Sequence, residues 1–128
     1  MRLELTRKTD LALRAFRALA AAPGRLAGPA LAESVGTTTP FIAQVMGPMV
    51  RAGLVTSRPG PGGGYALAEA AAGASVLRVI EAAEGPMDPS RCVLAGGPCG
   101  VEPCSVHEAW QQARAALEAS LAGSPALG

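Results

Sequence analysis

The chain has 128 residues, 49% of them apolar and few aromatic, with a net charge of +1. That is the size of one compact domain with enough apolar side chain for a modest core, and its many alanines favour helices. No apolar run approaches the roughly 20 residues of a bilayer-spanning helix. The stretch from Met1 to Arg17 is charged where a signal peptide would be apolar. The expected location is therefore the cytoplasm, with no membrane partner. A single histidine, the lack of a nucleophile–base arrangement and the lack of a phosphate-binding motif before a helix argue against an enzyme. The charge is unevenly shared. Residues 1–65 hold eight basic and three acidic residues, a balance of +5, whereas residues 66–128 stand at −4. A basic half joined to an acidic one suits a polyanion-binding surface on the first half.

In chain order, Thr6 or Thr9 can cap a helix that runs to about Ala22, with Leu11, Ala15, Ala18, Leu19 and Ala22 on one face. Pro23-Gly24 stops it. A short second helix fits Pro29 to Val35, ended by Gly36. Thr37, Thr38 and Thr39 can each cap a third helix, with Pro40 in its first turn, reading through Phe41, Val45, Met49 and Val50 to Ala52. Helix, glycine turn, helix is the helix-turn-helix pattern. Gly47-Pro48 predicts a kink, since an interior proline loses a backbone hydrogen bond. Leu54–Ser57 and Tyr65–Leu67 read as strands joined by Arg58-Pro59-Gly60-Pro61-Gly62-Gly63-Gly64. A hairpin directly after a helix-turn-helix is a wing, and bare glycine backbone beside Arg58 suits close approach to phosphates. Ser75 can cap a fourth helix carrying Val76, Val79, Ile80 and Ala83, ended by Gly85. Residues 86–104 read as a loop. Ser105-Val106-His107-Glu108 then forms a capping box before an amphipathic helix whose stripe is Val106, Ala109, Trp110, Ala113, Ala116, Leu117 and Leu121. This stripe either folds back on the first helix or pairs with its copy in a homodimer.

The three cysteines, Cys92, Cys99 and Cys104, all fall in the loop, spaced C-x6-C-x4-C, with His107 just beyond. An odd count disfavours a disulfide framework. Thiolates are soft ligands for iron–sulfur clusters, zinc or copper(I). Structural zinc normally shows close cysteine pairs, so the wider spacing favours a larger inorganic core, with zinc or a thiol switch as alternatives. Three cysteines leave a cluster one protein ligand short. His107 is the local candidate for that place, and Asp10 a candidate from elsewhere, possibly a partner chain. Either has a plain structural reading too: a solvated residue at a helix start, or an acid complementing the positive end of the first helix.

These motifs together resemble the winged-helix iron–sulfur transcription regulators of the IscR, NsrR and RirA type over nearly the whole chain. The resemblance rests on Lys8-Thr9-Asp10-Leu11-Ala12-Leu13-Arg14, Leu31-Ala32-Glu33, Phe41-Ile42-Ala43-Gln44-Val45, Arg51-Ala52-Gly53-Leu54-Val55 and the wing run Gly60 to Tyr65. It continues through Val79-Ile80-Glu81, Glu84-Gly85 and the cysteines followed by Val106-His107. It implies a mainly α fold with a small β-wing: a winged helix-turn-helix domain over residues 1–85, a cluster-binding loop over 86–104, and a long dimerisation helix with its tail over 105–128. By position, Cys92, Cys99 and Cys104 match the cluster ligands. His107 matches the fourth ligand of IscR-like members, and Asp10 the carboxylate that NsrR-like members supply from the other subunit.

The resemblance also implies that Thr37, Thr38, Thr39, Pro40, Phe41 and Gln44 face DNA from the third helix, and Ser57, Arg58, Gly60, Gly62 and Gly63 from the wing. Gln44 can read adenine in the major groove. Many members carry arginine where this chain has Pro59, with Arg58 one position earlier, and Ala43 stands where IscR has an acidic residue. The implied function is a homodimeric DNA-binding repressor of a palindromic operator, whose affinity follows a 2Fe–2S or 4Fe–4S cluster that senses nitric oxide, redox or iron–sulfur status. The rivals are the same regulator with zinc or a thiol/disulfide switch, and a small electron-transfer protein. The last would need neither the wing nor the basic half.

Overall fold

Thr6 opens the first helix: its hydroxyl accepts the Thr9 N–H at 3.3 Å, filling one of the donors that a helix start leaves unpaired. In the computed structural model, which describes residues 2–88, 94 and 104–128, α1 spans Arg7–Ala21. Leu11, Ala12, Ala15, Phe16 and Leu19 lie on its buried stripe, within one residue of the predicted face. Thr9 is not the cap but a fully buried first-turn residue. Helix α2 (Gly28–Val35) buries Leu31, Ala32 and Val35 and ends at Gly36, which takes the left-handed conformation, φ 78°. Only a residue without a Cβ adopts that readily.

Helix α3 spans Thr39–Arg51 and buries Ile42, Val45, Met46 and Met49. It runs on through Pro48 to Arg51, one residue short of the predicted end. The proline costs the Gln44 carbonyl its helical donor, but Gln44 lies on the exposed face, where an unpaired backbone carbonyl costs little because solvent can reach it. Strands β1 (Val55–Arg58) and β2 (Gly64–Leu67) pair antiparallel, Val55 opposite Leu67 and Arg58 opposite Gly64. A third segment joins them: Leu26 and Tyr65 exchange both backbone hydrogen bonds, at 2.9 and 2.8 Å. A 3-10 turn, Glu69–Gly73, leads to α4 (Val76–Glu84), capped by Ser75 as predicted.

Together, α1, α2, α3 and α4 enclose one core built around Phe16, Leu31, Ile42, Met46, Met49 and Val79. Among the described residues the fold is thus five α-helices with a two-stranded antiparallel sheet. No described helix is long and apolar enough to cross a membrane.

The fifth helix, α5 (His107–Ala122), buries none of its residues. The predicted capping box does not form: Val106 is the N-cap and no side chain caps the helix. Instead the His107 N–H closes a turn on the Cys104 carbonyl at 3.0 Å, which shifts the helix start past Ser105. Leu117 on the predicted stripe remains 45% exposed. Beyond α5 the chain turns back. The Val76 N–H donates to the Ser124 carbonyl at 2.7 Å, and the Ala126 N–H to the Ala74 carbonyl at 2.9 Å, with Ala126 fully buried. The tail is therefore latched into the core beside the start of α4.

Two outcomes are expected from this packing. Gly64 has φ 118°, and a Cβ there would lie 2.2 Å from the Leu26 carbonyl oxygen. Gly64→Ala should therefore cost about 2 kcal/mol or more in urea denaturation, whereas an alanine at an unstrained glycine changes stability by about 1 kcal/mol at most. Gly24→Ala, with open space around it, is the control. Ala126→Asp buries a charge and should lower the stability by about 3 kcal/mol, read as a fall in Tm.

Candidate nucleic-acid interface

Two exposed elements, the front of α3 and the wing, make up the candidate site. At the start of α3, the Thr38 hydroxyl accepts the Phe41 N–H at 3.3 Å. Of the three threonines predicted as caps, Thr38 fills the role. The Thr37 N–H is held by the Ala32 carbonyl at 2.9 Å, which closes the turn between α2 and α3. Thr38, Thr39, Pro40, Ala43 and Gln44 are exposed along one side of α3. Phe41 is half-buried and packs on the core, so most of its ring serves the fold. The remaining N–H groups at this helix start, with the positive end of the helix dipole, attract phosphate oxygens.

The same stripe, followed one turn at a time from Thr39 and Ala43, passes Gly47 and reaches exposed Arg51. A methyl group on Gly47 would lie 3.4 Å from an Arg51 guanidinium nitrogen. The bare glycine thus leaves room for the guanidinium to lie back along the helix. In the sequence Arg51 stands out only as part of the run Arg51 to Val55, and not among the residues expected to face DNA. Its spacing of twelve from Thr39 was the available signal. At the far end, the Arg78 guanidinium on α4 donates to the Ala52 carbonyl at 3.0 Å. A cation there satisfies a terminal acceptor and opposes the negative end of the dipole.

In the wing, Ser57, Arg58, Pro59, Gly60, Pro61 and Gly62 are exposed. Gly60 and Gly62 have φ of 81° and 74°, and the Gly63 N–H closes the turn on the Gly60 carbonyl at 2.9 Å. A Cβ on Gly63 would lie 2.2 Å from the Arg58 carbonyl oxygen. The Gly63 N–H is thus spent inside the loop, and this glycine serves the turn. Arg58 shares a strand face with Thr56, since alternate residues of a strand point the same way.

The segment between α1 and α2 binds both elements together. A methyl group on Gly28 would lie 3.6 Å from the Thr39 methyl carbon and 4.0 Å from the Tyr65 ring. The start of α3 and the base of the wing therefore meet over one glycine. Arg25 reaches further: its guanidinium donates to the Gly64 carbonyl at 3.2 Å, the Thr56 carbonyl at 3.3 Å and the Thr56 hydroxyl at 3.0 Å. Arg25 entered the sequence reading only as part of the charge balance.

The candidate cluster residues are only partly within view. Cys92 and Cys99 lie outside the described residues. Half-buried Cys104 and His107 line one open hollow with Ser105, Glu108 and Gln111. A thiol and an imidazole on a shared hollow suit a soft metal or an iron–sulfur cluster. Asp10 stands in the first turn of α1, its carboxylate accepting from the Arg14 side chain at 3.1 Å. Next to it, the buried Thr9 hydroxyl donates to the Glu84 carboxylate. That bond ties the first turn of α1 to the last residue of α4, which Gly85 (φ 85°) follows as C-cap.

Residues 5–124 match the Rrf2 family, described as an iron-dependent transcriptional regulator. An HTH-type transcriptional regulator of Neisseria meningitidis is 35% identical over 111 residues, covering 85% of this chain and 75% of that one. The HTH-type transcriptional regulator IscR of Escherichia coli is 35% identical over 81 residues, 63% of this chain and 50% of IscR. Among solved structures, CymR, the global cysteine regulator of B. subtilis, superposes with a TM-score of 0.78 at 24% identity, covering 98% of this chain and 94% of that one. The relatives are named as regulators of transcription and not as enzymes. Its winged helix-turn-helix and these relatives agree: the chain belongs to the Rrf2 family and is a DNA-binding transcriptional regulator.

Proposed function

We propose that the protein is a homodimeric repressor of a palindromic operator, and that an iron–sulfur cluster sets its DNA affinity. The observation that carries this reading is the position of the cysteine loop. The segment leaves α4 at Gly85 and returns through Cys104 directly into the first turn of α5, a helix with no buried face. Cys92, Cys99 and Cys104 would hold the cluster, with His107 or Asp10 as fourth ligand. When bound, a 2Fe–2S or 4Fe–4S cluster would supply a redox-active core responsive to oxidants or nitric oxide.

The chain's own residues supply the rest. Ligation through Cys104 ties the loop to the start of α5. The exposed face of α5, carrying Leu117, pairs with its copy in the dimer. The tail latches α5 to the start of α4, and Arg78 of α4 holds the end of α3. A change at the loop therefore reaches the spacing of two recognition helices on one duplex. Residues 1–85 read DNA, 86–104 sense, and 105–128 dimerise. Thr38, Thr39, Pro40 and Gln44 enter the major groove, with Thr37 and Phe41 setting the start of the helix behind them, while Ser57, Arg58 and the wing turn meet the phosphates. A colourless zinc site or a thiol/disulfide switch is the second reading, favoured by the partial exposure of Cys104 on the same hollow as His107.

Anaerobic isolation followed by iron, sulfide and zinc assays separates the two. Iron with sulfide and visible absorbance, lost in Cys104→Ala together with a change of affinity in gel shifts, is the expected result. Stoichiometric zinc in a colourless preparation supports the second reading. Material without iron or sulfide that resists reconstitution with both rejects the cluster. For base reading, Gln44→Ala should reduce discrimination at an adenine position by about 1–3 kcal/mol, measured by competition between operator variants.

A further inference from the structure

We propose that Arg25 is a positioning residue for the wing: it holds the hairpin in one pose and so decides how much Arg58 contributes to DNA binding. The proposal rests on the reading of the wing as a DNA-contacting element. Its basis is the span of one side chain. The backbone at Leu26 pairs with Tyr65 on one side of β2. The Arg25 guanidinium reaches past that pairing to the Gly64 carbonyl on β2, then to the carbonyl and hydroxyl of Thr56 on β1. One cation thereby ties three chain segments, and its planar fork serves the three oxygens from two separate nitrogens, where an ammonium would have to serve them from a single point. Gly64 permits this, because any side chain there would collide with the Leu26 carbonyl.

The anchor falls beside the residue it serves. Thr56 and Arg58 are two apart on β1 and share a strand face. A two-stranded hairpin has little stability of its own, and the wing turn beyond Arg58 is exposed. Fixing Thr56 from outside the hairpin therefore fixes the base from which Arg58 projects. The bonds of Arg25 are largely to neutral acceptors, so its charge is retained at the same face. Pro59 makes the arrangement more important, since the cation of this wing sits on the strand and depends on the orientation of the strand.

The test combines two measurements on the full-length protein. Hydrogen exchange is followed at the Tyr65 amide, which is held by Leu26, and gel shifts use a random-sequence duplex at fixed salt. Arg25→Ala and Arg25→Lys should both speed Tyr65 exchange by about tenfold, while amides in α1 stay unchanged. Both should weaken duplex binding by about threefold to tenfold, as expected for one displaced phosphate contact. Arg58→Ala should weaken the wild type similarly but have little further effect in the Arg25→Ala background. Wild-type exchange in Arg25→Lys, or fully additive losses for Arg25→Ala and Arg58→Ala, would overturn the proposal. If Arg58→Ala alone leaves duplex binding unchanged, the wing reading fails, and the exchange data still decide whether Arg25 holds the hairpin.

Discussion

The reciprocal backbone pairing of Leu26 with Tyr65 is the constraint around which the candidate interface is arranged. It joins a short connection between two helices to the wing, which otherwise has only two strands. An isolated two-stranded hairpin is marginal in water, and a third segment on one edge gives it a fixed attachment to the body. Gly28, two residues further on, packs at the start of α3. The four residues from Arg25 to Gly28 therefore fix the wing and the recognition helix relative to each other. The distance between the two elements of the candidate interface is thereby held constant.

The helical part of the fold was largely legible in the sequence. Caps, glycine stops and apolar spacing put α1, α2, α3 and α4 within one or two residues of their observed ends. Helix α3 runs through Pro48 to Arg51, as its apolar stripe implied, and the cost of the proline falls on the exposed residue Gln44. One departure has a local cause. Ser105 does not cap α5, because the turn on the Cys104 carbonyl takes the first position. The Leu26–Tyr65 pairing and the return of Ala126 into the core were not legible. Each joins residues far apart in the chain through backbone groups, which carry no side-chain signature.

The candidate site was legible to the extent that exposure follows from pattern. Thr38, Thr39, Pro40, Gln44 and the wing turn are on the surface as their positions implied. Arg25 and Arg51 were missed for different reasons. Arg51 is on the α3 stripe, but at the far end of the helix from the threonine caps that mark the candidate contact residues. Arg25 acts through hydrogen bonds to residues thirty or more positions away. Charge counting recorded it as one more cation in a basic half. Its role became visible only with the folded hairpin.

The crowding around Gly63 and Gly64 limits how such a wing can diverge. At both positions a single carbon would collide with a backbone carbonyl at 2.2 Å. The reach and shape of the turn are thus made of main chain and cannot be altered by swapping side chains there. Variation among descendants of this protein is free instead along the open side of α3, where Ala43 and Gln44 face solvent. Substitutions on that side of α3 would change the surface chemistry of the candidate interface, while the hairpin turn would keep its main-chain shape.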